Sequence, residues 1–487
     1  MQFSTVSASP APESGILMNT NTKRNRTMLA VTIALALAAG SASATNGYYT
    51  HGIGTKSKAQ AGAGSANPDE LLAIATNPAG LTALPESIDA GLAIFIPMRK
   101  YQTSESMADG GCYPGMGCAF TIGPNEINSE NEFFPIPFIG MNWHLTDADH
   151  LAAAFYARGG MNTEWQGGTA SFDPDGAAGP SGPMTFPGTF GGGTAGVDLM
   201  QGFLNLTYAR EFGDTFSAGA SAIFAIQRFE ARGVSTYAPY TKTYVESYFT
   251  TGTPKQPKNL SGNGHEMSYG FGASVGVRWQ PADMFSFAAA YTTKMSMSDL
   301  GSYSDLFAEG GGFDMPSTWT VGVALKPTDA IAIMFDVQEI KYSDVASVSN
   351  PIQRLFSCPI FDPVNGEFGN CLGGKKGPGF GWDDMTVYKL GLAWNYSDDW
   401  TWRAGYSYAD QPIPKDQMSF NILAPGVMEQ HWTVGFTQQT SSGNEVNLSF
   451  MFAPNSKVSG PNNFDPSQTV QFEMKQIELE VSYSWKR

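Results

Sequence analysis

The chain has 487 residues, of which 55 are glycine, 13% are aromatic and only 15% are charged. This composition is unusual for a soluble enzyme, but it suits a protein whose strands face lipid on one side and water on the other. The formal net charge of −16 argues against nucleic-acid binding, because that function requires a basic surface.

The first 44 residues have the layout of a secretory signal peptide. A basic group precedes a short apolar run and a small-residue cleavage motif: Lys23, Arg24 and Arg26, then residues 28–39, then Ala42–Ala44. We expect cleavage after Ala44. A membrane anchor is the alternative, but a spanning helix needs roughly 20 apolar residues. Residues 1–17 suggest an upstream start codon, since Met18 or Met28 could begin the protein.

Residues 45–85 are rich in alanine and glycine and show no sustained alternation of apolar and polar residues. They precede the first predicted strand. A barrel of the size predicted below has a lumen that leaks unless something fills it. We therefore expect this segment to fold inward as a plug, with a disordered periplasmic tail as the alternative.

Residues 86–487 show the period-2 alternation of strands with two different faces. In residues 267–279, apolar side chains alternate with small or polar ones: Met267, Tyr269, Phe271, Ala273, Val275, Val277 and Trp279 share one face. The same pattern recurs around Trp319, around Trp402 and in the last strand, residues 476–485.

The connections between predicted strands alternate in length, which is how outer-membrane barrels are built. Six short turns are predicted at 146–149, 212–215, 281–284, 327–330, 397–399 and 441–444. Long loops are predicted between them at 103–130, 162–197, 232–264, 297–316, 345–383, 411–428 and 456–468. The sequence therefore predicts an all-β fold, a transmembrane antiparallel barrel of about fourteen strands.

Four cysteines form two local pairs in glycine-rich and proline-rich stretches: Cys112 with Cys118, and Cys358 with Cys371. Even, local pairing in an exported protein predicts two loop disulfides. Zinc binding is the alternative, but a zinc site needs closer spacing with further cysteine or histidine ligands. No histidine lies near either pair in the sequence, so we expect no metal site.

No convincing catalytic motif is present. The chain has five histidines and no H-E-x-x-H, nucleophile elbow or complete phosphate loop. A serine and a histidine on neighbouring strands could form an esterase site, and this is the alternative. We expect a protein that is not an enzyme and uses no cofactor.

Four cations fall on the lumen-facing side of their predicted strands: Arg158, Arg278, Lys389 and Arg403. Inside a barrel, they could bind the anionic head of a ligand. Pairing with acidic side chains of the lumen is the simpler alternative.

Several motifs give the chain its resemblance to a known family. The N-terminal ones are Gly52–Gly54, Ala61–Gly64 and Ile74–Leu81, and the later ones are Gly160–Trp165, Pro316–Gly322 and Trp402–Tyr408. In this order they resemble the FadL-type long-chain fatty-acid transporters, over nearly the whole chain after residue 44. The Asn-Pro-Ala element, here Asn77-Pro78-Ala79 followed by Gly80, is the hallmark of that family's hatch.

The resemblance implies a barrel at 86–487 in the bacterial outer membrane, with a hatch at 45–85 that gates passive diffusion of hydrophobic ligands. It also implies sideways release through a kink in the third strand, which would fall at Gly159-Gly160. That glycine pair could instead simply begin the following loop. Fatty acids and hydrocarbons are both plausible ligands. We expect a monomer in contact with outer-membrane lipid and lipopolysaccharide. A general diffusion porin or a surface barrel without hydrophobic selectivity is the functional alternative.

Overall fold

The computed structural model describes residues 45–113, 117–124, 126–176 and 179–487. Within them, fourteen antiparallel strands close into a barrel, since each strand pairs with its sequence neighbours and the last pairs with the first. This confirms the predicted fold class. The predicted signal peptide and its cleavage site lie outside the described residues.

The barrel strands are β1 (Ser87–Thr103), β2 (Phe134–His144), β3 (Asp149–Asn162), β4 (Gly196–Phe212), β5 (Phe216–Arg232), β6 (Glu266–Ala282), β7 (Phe285–Thr292), β8 (Thr318–Thr328), β9 (Ile331–Ile340), β10 (Met385–Ser397), β11 (Trp400–Tyr408), β12 (Gln430–Gln439), β13 (Glu445–Asn462) and β14 (Asp465–Lys486).

The two faces of the wall differ as the alternation predicts. On β6, Phe271 is 71% exposed, whereas Ser268 and Ser274 are buried on the opposite face. Large aromatic and aliphatic side chains are exposed in the same way along most other strands. An apolar outer surface of this extent would be unfavourable in water and is typical of a wall that faces lipid.

The connections are sorted by length. All six predicted short turns lie at one end of the barrel, between β2 and β3 and then between every second pair of strands as far as β12 and β13. The prediction of a long loop at 456–468 is wrong, because β13 continues to Asn462 and β14 begins at Asp465. Val458 and Phe472 pair across these strand ends and are buried in the loop core. Burial of these apolar side chains favours a strand here, although residues 456–468 are polar and rich in glycine.

The long loops carry short elements. Their strands are Cys112–Tyr113, Gly117–Cys118, Thr121–Ile122, Glu126–Asn128, Thr169–Phe172, Met184–Pro187 and Ser296–Met297. Their helices are Lys242–Thr251, Ala308–Gly311, Ala346–Ser349 and Met418–Asn421, with 3-10 helices at Ser235–Tyr240, Gly301–Tyr303, Tyr342–Asp344, Ile352–Ser357 and Phe368–Asn370. In the described part of the chain, no helix combines the length and apolarity that a membrane crossing needs.

Residues 45–85 lie against the inner face of the wall. They form two short strands, a helix and two 3-10 helices: Thr45–Asn46, Tyr49–Thr50, Thr55–Ala59, Leu71–Ala75 and Pro78–Ala83. Glycines of eight strands lie against them, so that the backbones approach closely: Gly140, Gly159, Gly219, Gly276, Gly322, Gly391, Gly405 and Gly435. A Cβ atom on any of these glycines would crowd or overlap atoms of the segment.

Strands β2 and β3 are only partly joined. They pair from His144↔His150 as far as Ile139↔Phe155, next to the short turn. Beyond that point β2 still pairs with β1, and β3 still pairs with β4. We call the unpaired stretch between them, bordered by residues 134–138 and 156–162, the window. On its β4 side, β3 has a bulge at Arg158, because Ala157 and Gly159 face consecutive residues of β4.

Candidate functional site

The Asn-Pro-Ala motif links residues 45–85 to the wall. Asn77 caps the 3-10 helix that begins at Pro78, since its Oδ1 accepts a hydrogen bond from the backbone N–H of Ala79 at 3.1 Å. The Asn77 side-chain amide donates to the backbone oxygens of Ser65 and of Val277 on β6, each at 3.2 Å. One side chain therefore caps the helix, ties two turns of the segment together and attaches them to the barrel.

Ion pairs hold the same segment on the opposite side of the lumen. The ammonium group of Lys58 lies 2.9 Å from a carboxylate oxygen of Glu478 and 2.6 Å from one of Glu480, and all three side chains are buried. Lys56 pairs with Glu445 at 2.8 Å. These pairs join the segment to strands β13 and β14, which are the last strands of the chain. Breaking a buried pair by removing one partner is strongly destabilising, because it leaves an uncompensated charge.

Glu70 stabilises the fold of the segment itself. Its carboxylate accepts hydrogen bonds from the backbone N–H groups of Lys56 and Ser57, at 3.1 and 2.6 Å, at the start of the short helix Thr55–Ala59. Burial raises the pKa of Glu70 to about 8, and the charge of Asp69 adds to the shift while the two hydrogen bonds oppose it. Because burial disfavours the charged carboxylate, the folded protein loses stability relative to the unfolded chain as the pH rises from about 4.5 to about 8.

Two of the four predicted lumen cations hold this segment. The guanidinium group of Arg403 pairs with Asp69 at 2.8 Å. Arg403 therefore pairs with an acidic side chain of the lumen, which was the simpler of the two predicted roles. Arg278 donates to the backbone oxygen of Ala66 at 3.0 Å and to the side chain of Gln280. Both cations are therefore already occupied by neighbouring groups.

The other two cations, Arg158 and Lys389, line one small cavity. The Arg158 guanidinium lies 4.6 Å from the ring centroid of Tyr49 and donates to Thr318 Oγ1 at 3.0 Å. Lys389 donates to the backbone oxygen of His51 at 3.1 Å and to Gln338 Oε1 at 3.0 Å. Both side chains are buried. Within the described residues, neither forms an ion pair and the hydrogen-bond partners of both are neutral, but the buried side chain of Asp336 on β9 stands opposite Lys389 on β10 in the strand register.

Two histidines extend this polar region and were not singled out from the sequence. The rings of His51 and His431 stack with their centroids 5.4 Å apart, and both side chains are buried. His431 Nδ1 lies 3.1 Å from Ser407 Oγ, while both ring nitrogens of His51 have no hydrogen-bond partner. Their positions 380 residues apart give the sequence no spacing signal. In the described part of the chain, no group of three or more potential ligands is placed to hold a metal ion.

An apolar cavity lies among the loops at the long-loop end. Its lining is almost entirely aliphatic and aromatic and includes Phe229, Phe307, Leu372, Phe380, Phe420 and Leu423. The cavity encloses about 30 Å³, whereas ligand pockets usually measure roughly 300–1,000 Å³. Side chains must therefore move before a long apolar molecule can enter.

A second small cavity lies next to the first and borders the β3 side of the window. It shares Leu423 with the first cavity and is also lined by Gly160 and Met161 of β3. The predicted kink residues Gly159 and Gly160 lie inside β3, which continues to Asn162, so they do not begin the following loop. The second cavity thus lies between the first cavity and the β3 side of the window.

Both cysteine pairs are bonded in the structure. Cys112 joins Cys118 in an exposed hairpin, and Cys358 joins Cys371 in a buried position. Leu372, which follows Cys371 directly, lines the apolar cavity. The second disulfide therefore fixes one wall of that cavity.

The apolar outer wall and the filled lumen define a membrane-spanning β-barrel of the outer-membrane type. The chain belongs to the family described as outer membrane protein transport protein (OMPP1/FadL/TodX), whose profile matches residues 35–482. This is a family of transport proteins, so the chain is a transporter of the bacterial outer membrane and not an enzyme.

Known relatives are distant. The chain is 24% identical to a long-chain fatty acid transport protein of Salmonella typhi over 306 residues, which are 58% of this chain and 66% of that protein. It is also 24% identical to that of Escherichia coli strain K12 over 315 residues, which are 58% of this chain and 67% of the relative. The alignments thus span about two thirds of the length of these relatives.

Solved structures share the fold. The Pseudomonas putida toluene transporter TodX matches with a TM-score of 0.56 and 16% identity, covering 90% of this chain and 99% of that one. A Pseudomonas aeruginosa FadL homologue matches with a TM-score of 0.57 and 14% identity over the same shares. The Ralstonia pickettii toluene transporter TbuX gives 0.54 and 16%, covering 90% of this chain and 98% of that one.

Proposed function

We propose that this protein carries long-chain fatty acids, or similar hydrophobic molecules with an anionic head group, across the outer membrane. The observation that carries the proposal is the pair of buried cations Arg158 and Lys389 in one cavity, where neither forms an ion pair and only Lys389 has an acidic residue, Asp336, as its neighbour in the strand register. Buried charges are normally paired. A carboxylate from the ligand would supply an ion-pair partner for Arg158, and the nearby apolar cavities suit an acyl chain.

The relatives leave two ligand classes open. Two relatives are named as long-chain fatty acid transport proteins and two similar structures as toluene transporters. A neutral aromatic molecule would use the apolar cavities but would leave Arg158 without an ion-pair partner. The cation pair therefore favours an anionic amphiphile over a neutral hydrocarbon.

Residues 45–85 act as a hatch in this proposal, with 86–487 as the barrel domain. Asn77 to Gly80 and the lysine ion pairs fix the hatch in the lumen, which supports passive, gated movement rather than an open pore. A general diffusion porin would need a water-filled passage lined with charge. The ligand path lies within one barrel, so the protein works as a monomer, with its apolar outer surface in contact with membrane lipid and lipopolysaccharide.

The ligand leaves sideways in this proposal, through the window beside the β3 kink at Gly159 and Gly160. Three features support this exit. The second cavity reaches Gly160, the backbone of β3 is bulged at Arg158, and β2 and β3 share no ladder hydrogen bonds across the window. Residues 45–50 cover the opening from inside, since Gly160 N–H donates to the backbone oxygen of Tyr48 at 3.0 Å.

Uptake into proteoliposomes tests the proposal. We expect the protein to accelerate the entry of oleate at least tenfold over protein-free liposomes, because the barrel replaces a slow crossing with a specific path. We expect no acceleration for a small neutral sugar. Heat-modifiable migration on gels would show that the barrel is inserted. Equal acceleration of oleate and sugar would contradict the proposal and indicate a porin, whereas acceleration of toluene but not of oleate would indicate a hydrocarbon channel.

A further inference from the structure

A hydrogen bond in the turn after β2 shows which neighbouring strand each backbone N–H of β2 faces. The N–H of Leu145 donates to the backbone oxygen of Asp149 at 2.8 Å, across the turn from β2 to β3. In an antiparallel strand, successive residues direct their backbone groups to opposite neighbours. No register shift interrupts the pairing of β2 with β1 or with β3. Odd-numbered residues of β2 therefore direct their backbone nitrogens toward β3.

The window begins where this row of donors ends. Ile139 is the last odd-numbered residue of β2 that pairs with β3, opposite Phe155. The next two odd positions are Pro137 and Pro135. If the register continued, they would face Ala157 and Gly159. Proline has no backbone N–H and is confined to strand edges where no ladder bond is needed, so β2 offers β3 no donor at either position.

Pro135 and Pro137 do not disturb the pairing of β2 with β1. The residues that direct their N–H groups toward β1 are even-numbered, and Phe134, Ile136 and Phe138 keep their partners on that strand. β2 thus stays in the wall through β1 while it is detached from β3. The side chains of Pro135 and Pro137 share the outward face with Ile139, so their packing suits lipid as another apolar residue would.

The N-terminal arm, residues 45–50, occupies the edge that β2 does not use. Tyr49 pairs opposite Gly159 of β3, and Tyr48 accepts the hydrogen bond from Gly160. Both tyrosines are buried, and Tyr49 lies against Arg158. This arm contacts β3 through very few backbone bonds, in contrast to the long ladder between β3 and β4.

We propose that Pro135 and Pro137 are positioning residues that keep the window open, by preventing β2 from closing onto β3 and so leaving the N-terminal arm as its removable partner. The inference rests on the proposed sideways exit. A continuous ladder would seal the wall, because each added pair of backbone bonds joins the strands further. Two missing donors at adjacent ladder positions prevent this closure without weakening the attachment of β2 to β1.

Replacing both prolines by valine tests the proposal. The double variant Pro135→Val, Pro137→Val restores two donors with residues that favour strands. We expect slower hydrogen–deuterium exchange at residues 157–160 of β3, and oleate transport at least tenfold slower in proteoliposomes. Oleate affinity should stay within about twofold. The matched control is Pro327→Val, near the short turn after β8, which should leave both measurements unchanged.

A second variant guards against misfolding. Pro135→Ala with Pro137→Ala restores the same donors with smaller side chains and should reduce transport in the same direction. If neither variant changes exchange or transport, the role assigned to the prolines is wrong, and the sideways exit is unaffected. If exchange slows while transport stays at the wild-type rate, the window closes without consequence, and both the gating role of the prolines and the sideways exit fail.

Discussion

Replacing either Arg158 or Lys389 by glutamine should weaken oleate binding at least tenfold. A hydrogen bond to a charged group contributes about 1.5–3 kcal/mol, which corresponds to roughly a tenfold to 150-fold change in affinity. Glutamine keeps a donor for the existing neutral partners of both residues, so the main change is the loss of charge. Titration of the detergent-solubilised protein, followed by tryptophan fluorescence, would measure the dissociation constant.

Two comparisons make this prediction specific. Arg278→Gln is the matched control, because Arg278 already donates to Ala66 and Gln280, and oleate affinity should change by less than about twofold. Methyl oleate has no anionic head, so its affinity should respond weakly to the loss of either cation. Equal losses for oleate and methyl oleate would contradict a carboxylate-binding role for Arg158 and Lys389.

A covalent staple across the window should slow oleate transport at least tenfold. The double variant Phe138→Cys, Tyr156→Cys places one thiol on each side of the window, directly beyond the last backbone pair of β2 and β3, and leaves both prolines in place. Oxidation would join the strands and close the side opening. Oleate binding measured at equilibrium should stay within about twofold, because the cavities remain accessible from the loops.

Reduction supplies the internal control for the staple. The reduced double variant should regain transport, while wild-type protein treated with the same reductant reports any effect of opening Cys112–Cys118 and Cys358–Cys371. A stapled variant that transports at the wild-type rate would rule out the sideways route. The ligand would then have to pass the hatch directly into the periplasm.

The sequence predicted most of the barrel because alternation is a local property. The two faces of β6 and all six short turns follow from residues that are close together in the chain. The same reasoning failed at 456–468, where polar and glycine-rich composition suggested a loop. Val458 and Phe472 are buried there by other loops, and that tertiary packing outweighs the local composition.

The polar site was only partly predictable, because its partners are far apart in sequence. Register placed Arg158 and Lys389 on the lumen side, but it could not separate them from Arg403, whose partner Asp69 lies 334 positions away. The lysines of the hatch and the stacked pair of His51 and His431 carry no spacing signal at all. Pro135 and Pro137 were not singled out from the sequence, because their role depends on which neighbouring strand each backbone nitrogen faces.

A crystal structure of the protein with oleate bound tests the central claim most directly. The account predicts that the carboxylate lies within about 3.2 Å of a side-chain nitrogen of Arg158 or Lys389, the range of a hydrogen bond. The acyl chain should run from there through the cavity beside Gly160. A structure in which oleate occupies only the outer wall, or keeps its carboxylate in solvent away from both cations, would contradict the account.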